Sequence, residues 1–285
     1  LEEHLTHGPF ICYSAAVLPE YREYERGIAT WLNASLGPLM EQYLLKLQNA
    51  CAPSPLSVMQ SSGGTISARQ ASRSAVNLLV SFLGVFGLHL LLSGPAGGMA
   101  AIHWLAQTSG EHSLITFDMG GTSTDVALYD GQLTLTSEGH IGPWPVSVPM
   151  IDMHTIGAGG GSIAWIDTGQ LLQVGPASAG ASPGPACYGL GGTAPTVTDA
   201  NLALGKLPEG LLKGSNIKLN KSSSFEAIRA LSEQLGLTDL NLADGIIRLV
   251  NEHMAQALRM ISVARGHDPK DFRLCCFGGA GGLHV

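Results

Sequence analysis

Positive charge is scarce in this sequence. Lys and Arg together make 15 of 285 residues, charged residues of all kinds make 13%, and the net charge is −7. A protein that binds nucleic acid needs a basic surface to neutralise phosphates, so this composition argues against nucleic acid as a partner. The low share of charge also rules out a disordered chain and a coiled coil. What remains is a globular protein, long enough to bury a core and 45% hydrophobic.

The middle of the chain has no basic residue at all. Residues 74–205 contain no Lys or Arg, yet they hold eight acidic residues and 23 of the 37 glycines. An anion bound in this stretch must therefore be held by backbone N–H groups or through a metal ion. The excess of glycine predicts many tight turns, because glycine adopts backbone conformations that other residues avoid.

The cysteines give no sign of a disulfide framework. Their number is odd, five, their spacing is irregular, and no C-x-x-C motif occurs. This pattern is typical of a reducing compartment, so we expect a cytoplasmic protein. No signal peptide is recognisable, and the chain begins with Leu rather than Met, which predicts a piece of a longer protein. The vicinal pair Cys275 and Cys276 is predicted to lie in a buried strand.

One uncharged run, at 75–92, just reaches the length of a membrane span. Asn77 and His89 would be costly in lipid, and no basic flank marks an inner face. A buried helix or a pair of strands is therefore favoured, and no contact with a membrane is expected.

The spacing of apolar residues predicts several elements. A long amphipathic helix is expected at 28–50, ended by Pro53 and Pro55, and Asp199 is expected to cap a short helix. Further helices are predicted at 93–107, 224–235 and 244–265. Strands are predicted at 114–117 and 274–277, and hairpins pair 126–129 with 133–137 and 163–166 with 171–174.

A glycine-rich turn between two predicted strands carries the strongest chemical signal. It reads Asp-Met-Gly-Gly-Thr-Ser-Thr-Asp, from Asp118 to Asp125. Because glycine lets the backbone approach a ligand closely, three amides of this turn can point into one concavity and hold a phosphate. They belong to Gly120, Gly121 and Thr122. Asp118 is placed to bind hydrated Mg²⁺ or to position a water molecule, and both aspartates are candidate catalytic residues. The alternative is an ordinary hairpin turn.

Two weaker signals follow along the chain. Asp152 and His154 lie two residues apart, on one face of an extended segment, and their side chains suit a divalent metal or an acid–base pair. His154 is otherwise a structural histidine. The next segment is either a second backbone cradle, for substrate or phosphate, or a bend where two chain segments cross. Its residues are Gly159, Gly160, Gly161 and Ser162.

These motifs together resemble a known family. The Asp-x-Gly-Gly-Thr-x-x-Asp turn is similar to the phosphate loops of the actin, sugar-kinase and Hsp70 ATPase superfamily. Four other segments resemble the hydantoinase A/5-oxoprolinase family, and they are 152–164, 175–189, 196–202 and 277–284. The resemblance covers nearly the whole chain, although the run at 75–92 diverges from it.

The resemblance implies an α/β fold, a ribonuclease H-like ATPase core with mixed sheets and flanking helices. Residues 1–92, with the helix at 28–50, would complete the upstream half of the molecule, and residues 93–285 would form the ATPase-like core. The turn after the strand at 274–277 would contact the adenosine of ATP. Its residues are Gly278, Gly279, Ala280 and Gly281.

Members of the family open cyclic amides such as hydantoins or 5-oxoproline at the expense of ATP. The resemblance implies that this chain binds ATP with Mg²⁺ and phosphorylates the carbonyl oxygen of a small cyclic amide. A second subunit or region of hydantoinase B type would finish the reaction, and a homo-oligomer is compatible with this organisation. The candidate metal ligands are Asp118, Asp152 and His154, the last two for an additional divalent transition metal.

Alternatives stay open at this point. The same ATP chemistry suits a subunit of a ketone carboxylase, and a non-catalytic scaffold would keep the fold without turnover, although the intact acidic residues argue against that. A sugar kinase is disfavoured by the segments at 152–164 and 175–189. The superfamily uses two phosphate loops and this sequence contains one, so the second is expected upstream of residue 1.

Overall fold

A computed structural model describes residues 10–73, 75, 93–141, 144–211 and 217–285. The predictions for the apolar run at 75–92 therefore lie outside the described residues, except at residue 75. The chain folds into two compact units. Unit 1 comprises Leu1–His112 and Gly131–Asp152, and unit 2 comprises Ser113–Asp130 and Met153–Val285. The predicted division at residue 92 concerns which half of a larger molecule each segment completes, and it stays a prediction.

The helices, in chain order, are α1 (Ser14–Val17), α2 (Glu23–Cys51), α3 (Ala68–Arg73), α4 (Ser93–Ser109), α5 (Val197–Ala203), α6 (Lys221–Leu235) and α7 (Asp239–Ile261). The strands are β1 (Ser57–Met59), β2 (Thr65–Ser67), β3 (Ser113–Met119), β4 (Thr124–Asp130), β5 (Leu135–Thr136), β6 (Gly139–Ile141), β7 (Trp144–Val146), β8 (Met150–Ile151), β9 (His154–Ile156), β10 (Ser162–Ile166), β11 (Leu172–Ser178), β12 (Gly210–Leu211), β13 (Lys218–Leu219) and β14 (Arg273–Phe277). Short 3₁₀ turns lie at Ala186–Tyr188, Val263–Arg265, Pro269–Asp271 and Gly281–Leu283.

Unit 1 is built around the long helix α2. This helix begins five residues before the predicted start and ends at Cys51, ahead of Pro53, as the sequence predicts. Met40 and Leu44 on its inner face pack against Ala68 and Ala71 of α3. None of the helices in the described ranges is long and apolar enough to cross a membrane.

Unit 2 contains a four-stranded mixed sheet in the order β14-β3-β4-β9. Strand β14 runs parallel to β3, and the other neighbours are antiparallel. Helix α7 covers the core with a buried apolar stripe that includes Ile246, Val250 and Met254. The stripe confirms the predicted amphipathic helix, which begins five residues earlier than expected because Thr238 caps it by accepting a hydrogen bond from the Asn241 amide.

One predicted hairpin is wrong. Strand β4 does not pair with the segment after Asp130; it pairs along its whole length with β3, over seven residue pairs, and with β9. Strand β5 pairs instead with β8. A two-residue strand offers few ladder hydrogen bonds, so the long β3–β4 pairing prevails. The other predicted hairpin, formed by β10 and β11, is confirmed.

Cys275 and Cys276 are only partly buried, although the sequence predicts a buried strand; of the two, Cys276 packs against the hydrophobic core. They lie on β14, which is one of the two edge strands of the sheet in the part of the chain that is described. An edge strand has a neighbour on one side only, which leaves its side chains more accessible to solvent.

Candidate active site

The β3–β4 turn is closed by its own backbone. The Gly120 amide donates to the Ser123 carbonyl oxygen at 3.0 Å. The amides of Gly121 and Thr122 make no hydrogen bond with any described residue. Two of the three predicted phosphate-binding amides are therefore free to bind an anion, while the third holds the turn.

A second glycine segment crosses directly over this turn. Gly160 donates its amide to the Gly120 carbonyl oxygen at 3.0 Å, and Gly161 donates to that of Gly121 at 2.6 Å. A Cβ atom on Gly159 would lie 2.7 Å from backbone atoms of the turn, including the carbonyl carbon of Gly121. Only glycine permits this approach. The geometry supports the interpretation as a crossing of two chain segments.

The crossing segment is itself anchored. Ser162 Oγ accepts a hydrogen bond from the Gly159 amide at 2.8 Å. Thr198 on α5 donates both its amide and its hydroxyl to the Gly160 carbonyl oxygen, each at 2.7 Å. The amides of the segment are thus engaged within the protein, and its role here is to hold the turn in place.

A third segment, which follows β14, packs against the end of β3. The Ala280 amide donates to the Met119 carbonyl oxygen at 2.9 Å. Gly278 has φ +85°, and a Cβ there would collide with Asp118 Oδ1 and the Met119 carbonyl oxygen. By contrast, a Cβ on Gly279 would meet no atom within 4 Å. The turn that is predicted to contact adenosine therefore has no space for a side chain at Gly278, beside Asp118, and has open space at Gly279. At Gly281 an added Cβ would collide with the Cys276 thiol.

The two candidate carboxylates have different surroundings. Asp118 is half-buried, its carboxylate makes no hydrogen bond with the described residues, and burial raises its pKa. Asp125 is buried and accepts a hydrogen bond on Oδ1 from the Thr155 hydroxyl at 2.5 Å. The pKa of Asp125 is raised to about 7, because burial and, to a smaller extent, the negative charge of Asp118 outweigh the opposing effect of the Thr155 hydrogen bond.

Thr155 is a site residue that sequence reasoning missed. It lies opposite Asp125 in the β4–β9 register. The available signal was its position within the glycine-rich motif, next to His154. Because successive side chains of a strand point to opposite faces, the orientation of Thr155 toward Asp125 places His154 on the other face of β9.

His154 lines a cavity of about 430 Å³ together with Trp165, His253 and Gln256. Asp152 belongs to unit 1, where its amide donates to the Thr134 carbonyl oxygen at 2.8 Å. In the ranges that are described, no group of three or more His, Cys, Asp or Glu side chains could hold a metal ion. The second metal site therefore stays a prediction.

Asp199 organises the long loop that precedes α5. It is fully buried, and the cap of α5 is Thr196, with Asp199 as its capping-box partner rather than the cap itself. The Asp199 carboxylate also accepts hydrogen bonds from the Cys187 amide at 2.8 Å and the Ser224 hydroxyl at 2.9 Å. Burial and this carboxylate raise the pKa of the Cys187 thiol, which makes Cys187 a packed structural residue rather than a nucleophile.

Comparison with known proteins agrees with this architecture. The hydantoinase/oxoprolinase family model matches residues 26–285. Caprolactamase subunit alpha of Pseudomonas jessenii is 43% identical over 282 residues, covering 97% of this chain and 39% of the relative. The acetophenone carboxylase gamma subunit of Aromatoleum aromaticum is 41% identical over 196 residues, covering 67% and 27%. The 5-oxoprolinase of Dictyostelium discoideum is 33% identical over 306 residues, covering 96% and 23%.

Two solved structures are similar as well. A nucleotide-free structure of acetone carboxylase matches with a TM-score of 0.81 and 30% identity, over 95% of this chain and 37% of that one. The ATP-dependent caprolactamase from Pseudomonas jessenii matches with a TM-score of 0.74 and 40% identity, over 96% and 39%.

The fold is thus the expected α/β ATPase core of the actin, sugar-kinase and Hsp70 type, with mixed sheets and flanking helices. The chain belongs to the hydantoinase/oxoprolinase family. It spans about two fifths or less of the length of these relatives.

Proposed function

We propose that this chain is the nucleotide-binding part of an enzyme that opens a cyclic amide at the expense of ATP. The observation that carries the proposal is the end of β3. There the amides of Gly121 and Thr122 make no hydrogen bond with the described residues, and the same is true of the nearby Asp118 carboxylate. Membership of the family, whose relatives include a caprolactamase subunit and 5-oxoprolinases, supports the same activity.

The residues present fit ATP with Mg²⁺. Backbone amides bind phosphate without any cationic side chain, which suits a stretch that lacks Lys and Arg. Asp118 offers the hard oxygen ligand that Mg²⁺ prefers, and a bound cation would favour its ionised form against the effect of burial. The open side of Gly279 leaves space for a flat base to lie on the backbone.

The chemistry needs an activated carbonyl, because an amide carbon is a poor electrophile. ATP would supply a phosphoryl group that turns the carbonyl oxygen into a good leaving group. The amides of Gly121 and Thr122 would orient the phosphate oxygens and stabilise their charge, and Asp118 would hold the cation. Asp125, with a pKa of about 7, can take up or release a proton near neutral pH.

The hydrolysis that follows phosphorylation would need groups from outside this chain. A hydantoinase B-type subunit or region would complete the hydrolysis, and the naming of two relatives as alpha and gamma subunits supports a multi-subunit enzyme. Asp152 and His154 are retained as candidates for a second divalent metal. A homo-oligomer is compatible with this proposal.

A ketone carboxylase is the second candidate function. It is favoured by the likeness to acetophenone carboxylase gamma subunit and to acetone carboxylase. The same turn would serve both reactions, because each starts by activating a carbonyl oxygen.

The test is a substrate screen with the full-length protein co-expressed with its hydantoinase B-type partner. Phosphate release is measured with caprolactam, 5-oxoproline, hydantoin, and acetone or acetophenone with bicarbonate. Stimulation by a cyclic amide supports the proposal, and stimulation by a ketone with bicarbonate supports the alternative. ATP binding without any stimulated hydrolysis would indicate a scaffold, and failure to bind Mg-ATP would refute the assigned site. Asp130→Ala, at the exposed end of β4, is the control variant for Asp118→Ala.

A further inference from the structure

The ring of His284 is held between two asparagine side chains from different helices. Its Nδ1 lies 2.7 Å from Oδ1 of Asn251 on α7. Its Nε2 lies 3.3 Å from Nδ2 of Asn201 on α5. Because an amide oxygen only accepts and an amide nitrogen only donates, the ring carries its proton on Nδ1 and accepts on Nε2. The imidazole is therefore neutral and uses both of its nitrogens.

The burial of this network agrees with a neutral ring. Burial and, to a smaller extent, the positive charge of Lys206 together lower the pKa of His284 to about 4. Asn201 is 1% exposed, and its Oδ1 has no hydrogen-bond partner among the described residues. A buried unsatisfied acceptor costs about 1–3 kcal/mol.

A single chain segment connects this hydrogen-bond network to the β3–β4 turn. The segment 278–284 begins at Gly278, where an added Cβ would collide with the Asp118 carboxylate. The Ala280 amide donates a hydrogen bond to the Met119 carbonyl oxygen, and the segment ends at the His284 ring. His284 thus anchors the far end of the segment that packs against the end of β3.

Helix α5 connects this anchor to the other support of the turn. Thr198 on α5 holds the Gly160 carbonyl, and Gly160 in turn donates to Gly120. Asn201, three residues further along the same helix, holds His284. One short helix therefore fixes both segments that contact the turn.

We propose that His284 is a positioning residue. Its hydrogen bonds to α5 and α7 hold residues 278–284 in place, and this segment in turn determines the position of the end of β3, at Asp118 and Met119. The role rests on the proposed nucleotide site. His284 does not touch the nucleotide in this proposal; it acts through the segment that backs Asp118.

The first test needs no nucleotide. Hydrogen–deuterium exchange on the full-length protein follows the Ala280 and Gly120 amides, which are bonded in the structure. His284→Leu removes both ring contacts and should speed exchange at Ala280 at least about tenfold, with a smaller effect at Gly120. His284→Asn keeps a donor for Asn251 and should restore much of the protection. His112→Leu, at an exposed histidine, is the matched control and should change neither amide.

The second test is kinetic. With Mg-ATP and the substrate found in the screen, His284→Leu should lower kcat by about 10- to 100-fold, since small misplacement of reacting groups has effects of that size. KM for ATP should rise less, and His284→Asn should recover part of kcat. A general loss of folding would not be rescued by Asn and would only lower the active fraction, so that the apparent kcat falls while KM stays unchanged.

Asn201→Ala keeps the proposal testable if His284→Leu does not fold. It releases one end of the ring and should give an intermediate increase in exchange at Ala280. Unchanged Ala280 exchange and unchanged kcat in these variants would overturn the inference. Failure of the wild-type protein to bind Mg-ATP would instead overturn the proposed function, because the exchange measurement does not depend on nucleotide.

Discussion

Asp118 and Asp125 lie directly opposite each other across the β3–β4 pair, one at each side of the β3–β4 turn. The negative charge of Asp118 adds to the burial that raises the pKa of Asp125. Like charges at paired positions of a sheet repel, so the arrangement favours a proton on one carboxylate or a cation beside the other. In the proposed reaction the two residues would have different roles: Asp118 would hold a cation and Asp125 would exchange a proton.

The cation role of Asp118 predicts a selective loss. Asp118→Asn should weaken Mg-ATP binding at least about tenfold, while ATP binding in the presence of a chelator should change little, because the amide donors remain. Isothermal titration of the full-length protein with and without Mg²⁺ measures this. Asp130→Asn serves as the control. Equal Mg²⁺ dependence in wild type and Asp118→Asn would contradict the assignment.

Asp125 predicts a pH dependence of stability. Between about pH 4 and pH 7 the folded state holds a proton that the unfolded state has lost, so the free energy of unfolding should fall as pH rises through this window. Each pKa unit corresponds to about 1.4 kcal/mol. Asp125→Asn should remove this slope. Compared with wild type, the free energy of unfolding of the variant should be nearly unchanged at pH 4.5 and higher by a few kcal/mol at pH 8.

Urea unfolding of the 285-residue chain at the two pH values gives the comparison. Thr155→Val is the companion variant: without the hydroxyl that lowers the pKa of Asp125, the loss of stability with rising pH should become larger. Parallel pH profiles for wild type and Asp125→Asn would show that Asp125 titrates normally.

The crossing at Gly159 predicts intolerance to the smallest side chain. In Gly159→Ala, the added methyl would lie 2.7 Å from the backbone of the β3–β4 turn, so we expect a loss of about 1–3 kcal/mol in stability together with weaker ATP binding. Gly27→Ala, in α2 with open space around it, should be neutral or stabilising. Thermal melts and titrations of both variants decide the matter, and a Gly159→Ala protein with wild-type melting would refute the close approach.

The buried Asp199 carboxylate predicts a large structural effect without any catalytic one. Asp199→Ala would leave the Cys187 amide and the Ser224 hydroxyl as buried donors without acceptors, which should cost about 3 kcal/mol or more. Asp244→Ala removes only an exposed ion pair with Arg248 and should cost less than about 1 kcal/mol. Denaturant unfolding measures both. Similar losses for the two variants would argue against Asp199 as the organiser of the loop.

The last prediction concerns the 285 residues by themselves. They contain one Asp-x-Gly-Gly-Thr turn and no basic residue between 74 and 205, so the charge of a transferring phosphoryl group would be only partly compensated. We expect weak nucleotide binding and no substrate-dependent phosphate release from this chain alone. Turnover above background with a hydantoin, 5-oxoproline or a simple ketone would show that the chain is catalytically complete.

The sequence by itself determined what depends on neighbours along the chain. The turn at 118–125 follows from glycines and flanking strands, the apolar stripe of α7 follows from helical spacing, and the β10–β11 hairpin follows from a turn between two short apolar runs. The family resemblance also came from contiguous motifs. Each of these signals is carried by residues within a few positions of one another, where backbone propensity and side-chain periodicity act.

Only the tertiary structure decided which distant segments meet. It paired β4 with β3 and β9, laid Gly159–Gly161 over the turn so that their amides are engaged, and turned Thr155 rather than His154 toward Asp125. It also brought His284 to Asn201, 83 positions away in the chain. Such contacts depend on backbone hydrogen bonds and close packing between remote parts of the chain, and local sequence patterns carry no information about which partner a given amide or face will find.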